Sequence, residues 1–342
     1  MERIKALMYG VGAMARTYMV KFMVEKGVQI VGAVARTSNV GKDVGEVCGV
    51  GHPLGVKITD DVDEALSGRQ IDIAVLTVTS LMPDMYEHIA KCVSNGINVI
   101  TIAEEALYPW ETSPVIAAKL DKLARKHGVT ITGSGYQDIY WANMVTQLAG
   151  TAQRINSITG TARYNISDYG PEVANLHFVG DTEAQFHAKI KKQGLLPSFL
   201  RNCAELICAD MGLTITGVKA SCEPIKDDVD IYVKGLDKTI PAGKLVGCTD
   251  ICEIDTELGI VIKTIMMAKC YKKGEVDINK WEIRGNPDIN VENYKPPTDV
   301  TTCSTVVNRI PDVINAEPGF ITCEKLPKLK YRAYPLHFYL KR

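Results

Sequence analysis

Met8-Tyr9-Gly10-Val11-Gly12-Ala13-Met14-Ala15-Arg16 carries the spacing G-x-G-x-x-A, and its flanks give that spacing meaning. An apolar stretch, residues 4–8, leads into it. A helix-compatible segment, residues 14–26, follows, and then a second apolar run, residues 28–34. Strand, glycine turn, helix and strand in that order form the context in which this motif binds a dinucleotide. Gly10 permits the tight turn, and Gly12 lets a pyrophosphate approach the backbone. Ala15 lets the helix pack closely on the strand, and the helix start offers N–H groups and a positive dipole end to the phosphates. A plain strand-to-helix turn that happens to use glycine is the competing reading. Position, spacing and both flanks favour the dinucleotide site, with Gly10, Val11, Gly12, Ala13 and Met14 as its cradle.

The end of the second strand bears on which dinucleotide. An NAD site commonly has an acid there to hold the ribose 2′-hydroxyl. This strand ends Ala33-Val34-Ala35-Arg36-Thr37-Ser38, with no carboxylate. Arg36 can pair with a 2′-phosphate through its planar fork, and Thr37 and Ser38 can donate hydrogen bonds to it. A solvated loop arginine is the alternative. NADP, or use of both NADP and NAD, is favoured over strict NAD.

The 342 residues are enough for one large or two ordinary domains. Hydrophobic residues make up 46% and charged residues 23%, as in globular proteins that stay in water. A formal net charge of −1 gives no electrostatic reason to expect nucleic acid or an anionic membrane as partner. No apolar run reaches membrane-spanning length. The N-terminus enters a strand without a basic start and cleavage site, so no export signal is read and the cytoplasm is the expected location. The ten cysteines are expected to be reduced thiols acting as small apolar residues. Neither Cys248 with Cys252 nor Cys203 with Cys208 has the paired C-x-x-C pattern of structural zinc, and no metal site is read.

The first third alternates strands with helices. A loop with a short helix is expected over 41–56 and a short helix over 60–66. A continuous apolar strand spans 71–78, and a helix over 85–95 is closed by Gly96. A strand over 98–102, a helix over 114–127 closed by Gly128 and a strand over 129–132 follow. This is the rhythm of a doubly wound parallel sheet. From about Tyr140 it changes. A long strand over 154–166, helices over 181–192 and 198–211, and strands over 213–222, 244–256 and 260–272 predict a largely antiparallel sheet. Residues 257–259 form its hairpin turn, and 281–283 and 287–291 are expected to extend it. Residues 301–314 have helical spacing with Pro311 as a kink, before a turn at 316–319. The fold class expected is therefore α/β: an N-terminal Rossmann doubly wound parallel sheet plus a C-terminal α+β domain with a largely antiparallel sheet. The expected divisions are 1–140, 141–300 and a tail, 301–342, that packs back on the first domain. The nicotinamide is expected at the strand carboxyl ends, facing a cleft between domains. Thr77, Val78 and Thr79 at such an edge are candidate cofactor contacts, as is Ala103.

The run Ala103-Glu104-Glu105-Ala106-Leu107-Tyr108-Pro109-Trp110 places two adjacent glutamates where a nicotinamide is expected. A buried carboxyl needs a partner or a raised pKa, and a pKa near the working pH suits an acid–base catalyst. Glu in a first helical turn also favours the dipole with no catalysis. Glu104 and Glu105 are the catalytic candidates, Glu104 first because it is nearer the strand tip. Beside a nicotinamide, lysine suits alcohol chemistry. A carboxylate stabilises an ammonium or iminium and activates water, which points to oxidative deamination or its reverse, reductive amination. Tyr140 and Trp141 are candidate walls for an aliphatic substrate. Asn165 and Tyr169 can hold polar groups, Arg163 can receive a carboxylate, and His177 is a candidate orienting group. Ordinary structural use is the alternative for each.

These residues resemble the 2,4-diaminopentanoate dehydrogenases and, more broadly, the native amine dehydrogenases. The resemblance rests on YGVGAMA (9–15), AEEALYPW (103–110) and VVNRIPDVINAEPGF (306–320), and runs nearly end to end. It implies a two-domain subunit similar to dihydrodipicolinate reductases, NAD or NADP as cofactor, a catalytic glutamate at Glu104, and a homodimer. It implies oxidation of the 4-amino group of (2R,4S)-2,4-diaminopentanoate to 2-amino-4-oxopentanoate with release of ammonia, in ornithine degradation. It also implies that Asn308 approaches the nicotinamide. The basic, histidine-rich motif of dihydrodipicolinate reductases is not found, and the lysine of homoserine dehydrogenases is a glutamate here. Two alternatives stand: a dehydrogenase or reductive aminase of simple aliphatic amines and ketones, and an NADP-binding redox sensor.

Overall fold

The computed structural model describes residues 2–167, 170–195 and 198–341. The chain forms two compact units, Met1–Asn143 with Pro297–Arg342, and Met144–Pro296.

In the first unit β1 (Lys5–Tyr9) enters a π-type turn, Ala15–Met19, that continues as α1 (Val20–Glu25). Then come β2 (Gln29–Val34), α2 (Val44–Val47), β3 (Ile58–Thr59), α3 (Val62–Leu66), β4 (Ile73–Leu76) and α4 (Met82–Ser94). β5 (Asn98–Thr101), α5 (Pro114–His127) and β6 (Thr130–Gly133) complete the alternation. The second unit holds α6 (Met144–Ala149), β7 (Arg154–Asn165), α7 (Pro171–Leu176), α8 (Glu183–Gln193), α9 (Phe199–Asp210) and β8 (Ile215–Lys226). It goes on through β9 (Ile231–Val233), β10 (Lys238–Ile240), β11 (Leu245–Thr256), β12 (Val261–Lys269), β13 (Ile278–Asn286) and β14 (Ile289–Tyr294). The chain then returns to the first unit as α10 (Thr298–Ile314) and β15 (Gly319–Phe320).

The first sheet has the order β15-β6-β5-β4-β1-β2-β3, with every pair parallel. The strand order reverses between β1 and β4, the point where such sheets bind ligands. Alternation along β1 divides the core. Ala6 and Met8 pack with Met19 and Met23 and, from α10, Val306 and Ile310. Leu7 and Tyr9 pack with Met85 and Ile89 of α4 and Leu120 of α5. Strands covered on both faces read as continuous apolar runs, which is why they are visible in the sequence. β3 and β15 are two residues each, too short for any pattern, and they extend the sheet by two strands that the sequence reading did not include. α10 runs through Pro311 as one helix.

The second sheet has the order β14-β13-β7-β12-β11-β8. β7 and β12 pair in parallel and the other neighbours are antiparallel. β9 and β10 form a separate hairpin that the sequence reading did not include. β12 alternates half-buried and buried residues along its length, the mark of a sheet with one packed face. Among the described residues no helix is long and apolar enough to cross a membrane.

Candidate active site

Gly10 adopts φ 104°, a conformation open to glycine, directly at the switch point between β1 and β4. A Cβ there would stand 2.6 Å from the Thr77 carbonyl oxygen, and the Thr77 hydroxyl donates to the Gly10 carbonyl at 2.6 Å. The Gly10 and Val11 N–H groups both donate to Val34 O, closing the turn onto β2. Gly12 is exposed, and a Cβ there would meet nothing within 4 Å. Ala15 is fully buried beneath the turn. Ala13 is exposed and Met14 half-buried at the start of the helix, whose first N–H groups have no carbonyl one turn back. Arg36, Thr37 and Ser38 are exposed at the carboxyl end of β2. Val78 is 43% exposed after β4, flanked by half-buried Thr77 and Thr79. Open space over Gly12, an uncovered apolar residue at the strand edge and an exposed arginine beyond β2 fit a nicotinamide dinucleotide laid across the carboxyl edge.

The glutamate pair separates sharply. β5 ends in a tight turn, Glu104–Leu107, pressed against β6 so closely that a Cβ on Gly133 would stand 2.3 Å from the Ala106 carbonyl. Glu105 is buried, and its carboxylate accepts from the Met82 backbone N–H at 2.7 Å and the Ser113 hydroxyl at 2.6 Å. It caps the start of α4, whose preceding residue Leu81 offers no side-chain cap. Glu104 is half-buried at the same edge, and the burial pushes its carboxyl above the usual carboxylate range. A hydrogen bond with Ser80 opposes that shift. Ser80 lies in the polar run that ends β4; edge position and a hydroxyl were the only sequence signals for it. Ala103, buried, starts the turn with its N–H on the Thr101 hydroxyl.

After β6 the chain turns through Gly133 to Asp138 into a π-type helix, Asp138–Asn143. Tyr136 stacks on Tyr140 at 4.5 Å between centroids and meets Trp141 edge-on at 6.0 Å. Tyr136 was not singled out in the sequence, yet it orders both aromatics that were. Asp138 is buried in a two-point pair with Arg309 of α10, at 2.8 and 2.9 Å, and accepts from Ser134 Oγ at 2.8 Å. Removing one partner of such a pair typically costs about 3–5 kcal/mol, so the segment carrying the aromatics is firmly fixed to α10.

The fold engages the other candidates. Asn308 lies midway along α10, and its Oδ1 accepts from the Arg332 backbone N–H at 3.2 Å. Thr302 of the same helix meets Tyr136 N at the carboxyl edge, so Asn308 is six residues, about 9 Å, further down the helix. Through that bond it holds the C-terminal tail. In the second unit Arg163 donates through Nε and Nη2 to the Val276 carbonyl at 3.2 and 3.1 Å. Asn165 accepts from Ser167 N at 3.0 Å, shaping the end of β7. His177 has Val173 O at 2.8 Å and the Tyr164 hydroxyl at 3.1 Å on its two ring nitrogens, and burial holds its pKa below the usual histidine range. The fold uses these polar atoms itself, a demand that residue type and spacing do not reveal. Tyr169 lies outside the described residues.

This fold and site define a nicotinamide-dependent oxidoreductase. Residues 4–134 match the family model of the oxidoreductase family with an NAD-binding Rossmann fold, and residues 140–332 that of the 2,4-diaminopentanoate dehydrogenase C-terminal domain. The chain belongs to the 2,4-diaminopentanoate dehydrogenase family, and by class it is an NAD(P)-dependent amine dehydrogenase. It is 28% identical over 337 residues to the 2,4-diaminopentanoate dehydrogenase of Acetoanaerobium sticklandii, covering 96% of this chain and 94% of that one. The solved structure of an amine dehydrogenase from Mycobacterium smegmatis is 42% identical, with a TM-score of 0.87 over 97% of this chain and 98% of that one. A probable dehydrogenase from Thermotoga maritima shares the fold at 12% identity, with a TM-score of 0.64 over 94% of this chain and 92% of that one.

Proposed function

We propose that this protein oxidises a short-chain amine to the corresponding ketone with release of ammonia, and that Glu104 is its acid–base group. The observation that carries this reading is Glu104 itself, a desolvated carboxyl with a raised pKa at the sheet edge, beside Ser80. Gly10, Val11, Gly12, Ala13 and Met14 would hold the dinucleotide's pyrophosphate, with Thr77, Val78, Thr79 and Ala103 beside its nicotinamide end. When bound, the nicotinamide takes up the two electrons released at the amine-bearing carbon. Glu104 attracts the substrate ammonium, accepts a proton from its nitrogen and passes it to solvent. It then takes a proton from the water that attacks the iminium carbon and gives it to the nitrogen that leaves as ammonia when the carbon–nitrogen bond breaks. One water is consumed per ammonia released. Ser80 orients the Glu104 carboxyl through its hydrogen bond. Tyr140 and Trp141, ordered by Tyr136, form an aromatic wall suited to an aliphatic chain.

The first substrate in this reading is 2,4-diaminopentanoate, supported by the family and by the Acetoanaerobium relative. A simple aliphatic amine is the second, favoured by Arg163, whose guanidinium is engaged by the Val276 carbonyl and is not held ready for a substrate carboxylate. NADP is preferred in this reading because Arg36, Thr37 and Ser38 replace the acid of an NAD site. A homodimer belongs to the same proposal, supported by half-buried Ile251, Ile265 and Met267 along one face of β11 and β12. The test follows the absorbance of reduced cofactor after adding 2,4-diaminopentanoate or 2-aminopentane with NADP or NAD. Faster reduction with the diamino acid supports the first reading, and equal rates the second. Tight cofactor binding with no reduction by either amine overturns deamination and leaves a nucleotide-binding sensor.

A further inference from the structure

In β8 and β11 the antiparallel register sets Asp250 opposite Cys222 and Cys248 opposite Pro224. Side chains alternate along strands, so Cys222, Cys248 and Asp250 share one face. Both sulfurs and a carboxylate oxygen lie within 4.8 Å of one another. A zinc ion stands about 2.3 Å from sulfur and ~2.0–2.2 Å from a carboxylate oxygen, so donors on one ion are less than about 4.6 Å apart. Small side-chain adjustments close the remaining difference.

Asp250 supplies the second argument. It is 7% exposed, its hydrogen-bond partner is the Cys222 thiol, and among the described residues no lysine or arginine forms an ion pair with it. A thiol is a weak donor, and a buried carboxylate without a cation is costly. Cys248 is fully buried against Phe178, Phe186 and Leu245, while Cys222 is half-buried on the edge strand β8. The cluster is therefore roofed, rich in soft donors and short of positive charge.

We propose that Cys222, Cys248 and Asp250 bind one thiophilic divalent cation of the zinc class, with a water as fourth ligand. On binding, two thiol protons pass to solvent, two metal–thiolate bonds and one metal–carboxylate bond form, and the ion sheds all but one of its waters. The site carries one net negative charge in place of an isolated carboxylate. Its position ties the edge strand β8 to β11, so the ion acts as a staple for the second sheet.

The test uses the full chain, reduced and stripped with a chelator, titrated with Zn²⁺ by calorimetry and with Co²⁺ by absorption. One zinc per chain, a thiolate-to-cobalt charge-transfer band and a raised melting temperature are expected. Cys222→Ser and Asp250→Asn, each checked for the parent's circular dichroism, should weaken zinc binding by at least the ~10–100-fold that loss of a ligand's supporting contact already costs. Cys252→Ala, two residues beyond Asp250 on the same face, should leave stoichiometry and affinity unchanged. No zinc uptake by the reduced protein overturns the proposal. So does a cobalt spectrum indifferent to Cys222→Ser, or a Cys222–Cys248 disulfide found by mass spectrometry in the protein as isolated.

Discussion

Glu105 Oε2 accepts the Met82 backbone N–H at 2.7 Å, joining the turn after β5 to the first residue of α4. With Ser113 on its other oxygen, this carboxylate is fully engaged by the fold. The neighbouring side chain, Glu104, is left half-buried with a raised pKa. Adjacent residues thus divide the labour: one acid builds the sheet edge and the other is presented at it.

Substituting the two glutamates should separate these roles. Glu104→Gln is expected to cut turnover by about 10²–10⁴-fold with cofactor affinity nearly intact. Glu105→Ala leaves a buried N–H and a hydroxyl unpaired and should cost about 1–3 kcal/mol of stability. Urea denaturation and steady-state kinetics on both variants check the assignment. Normal turnover in Glu104→Gln together with lost turnover in Glu105→Gln would move the catalytic role to Glu105.

The pH profile tests the environment of Glu104. As a base it works ionised, so kcat/KM should fall as pH drops through its raised pKa. The Ser80 hydrogen bond stabilises the ionised form. Ser80→Ala should therefore move the acidic limb to higher pH while leaving the alkaline plateau within a few-fold of the parent. Glu104→Gln should abolish that limb. An acidic limb at the same pH in parent and Ser80→Ala enzymes would remove the positioning role given to Ser80.

The two glycines of the turn predict opposite failures. Gly10→Ala forces a side chain into φ 104° and against Thr77 O, at a cost of order 1–3 kcal/mol in stability. Gly12→Ala meets no protein atom, so its melting temperature should match the parent's. If pyrophosphate occupies that space, the added methyl should weaken cofactor binding about 10-fold or more, from an overpacking cost of ~1–3 kcal/mol. Fluorescence titration of the reduced cofactor reads this directly. Unchanged affinity in Gly12→Ala would mean that the phosphates lie elsewhere.

What was legible in the chain followed from local chemistry. The parallel sheet could be read because strands covered on both faces are largely apolar, as 73–76 are throughout and 99–100 are within β5, and because glycines punctuate the helices. β3 and β15 had no legible pattern because two residues cannot display one. The adjacency of Glu104 and Glu105 was visible, but their division was not, because it depends on Met82 and Ser113 arriving from other elements. Arg163 and His177 had suitable chemistry for a ligand, yet Val276, Val173 and Tyr164 engage them. The Cys222, Cys248 and Asp250 cluster is a consequence of strand register, which no spacing along the chain encodes.

Cofactor choice should turn on Arg36. It is exposed at the end of β2, beside Thr37 and Ser38, with no acid in the Arg36–Ser38 run. A charge-assisted hydrogen bond contributes about 1.5–3 kcal/mol, so Arg36→Ala should weaken NADP by about 10–150-fold. NAD has no 2′-phosphate and should be little affected. Arg36→Lys should restore only part of the preference, because an ammonium is a point charge without the planar fork. Dissociation constants for both cofactors with the three proteins give the result. Equal losses for NADP and NAD in Arg36→Ala would mean that Arg36 supports the shared adenosine half of the cofactor and reads no phosphate.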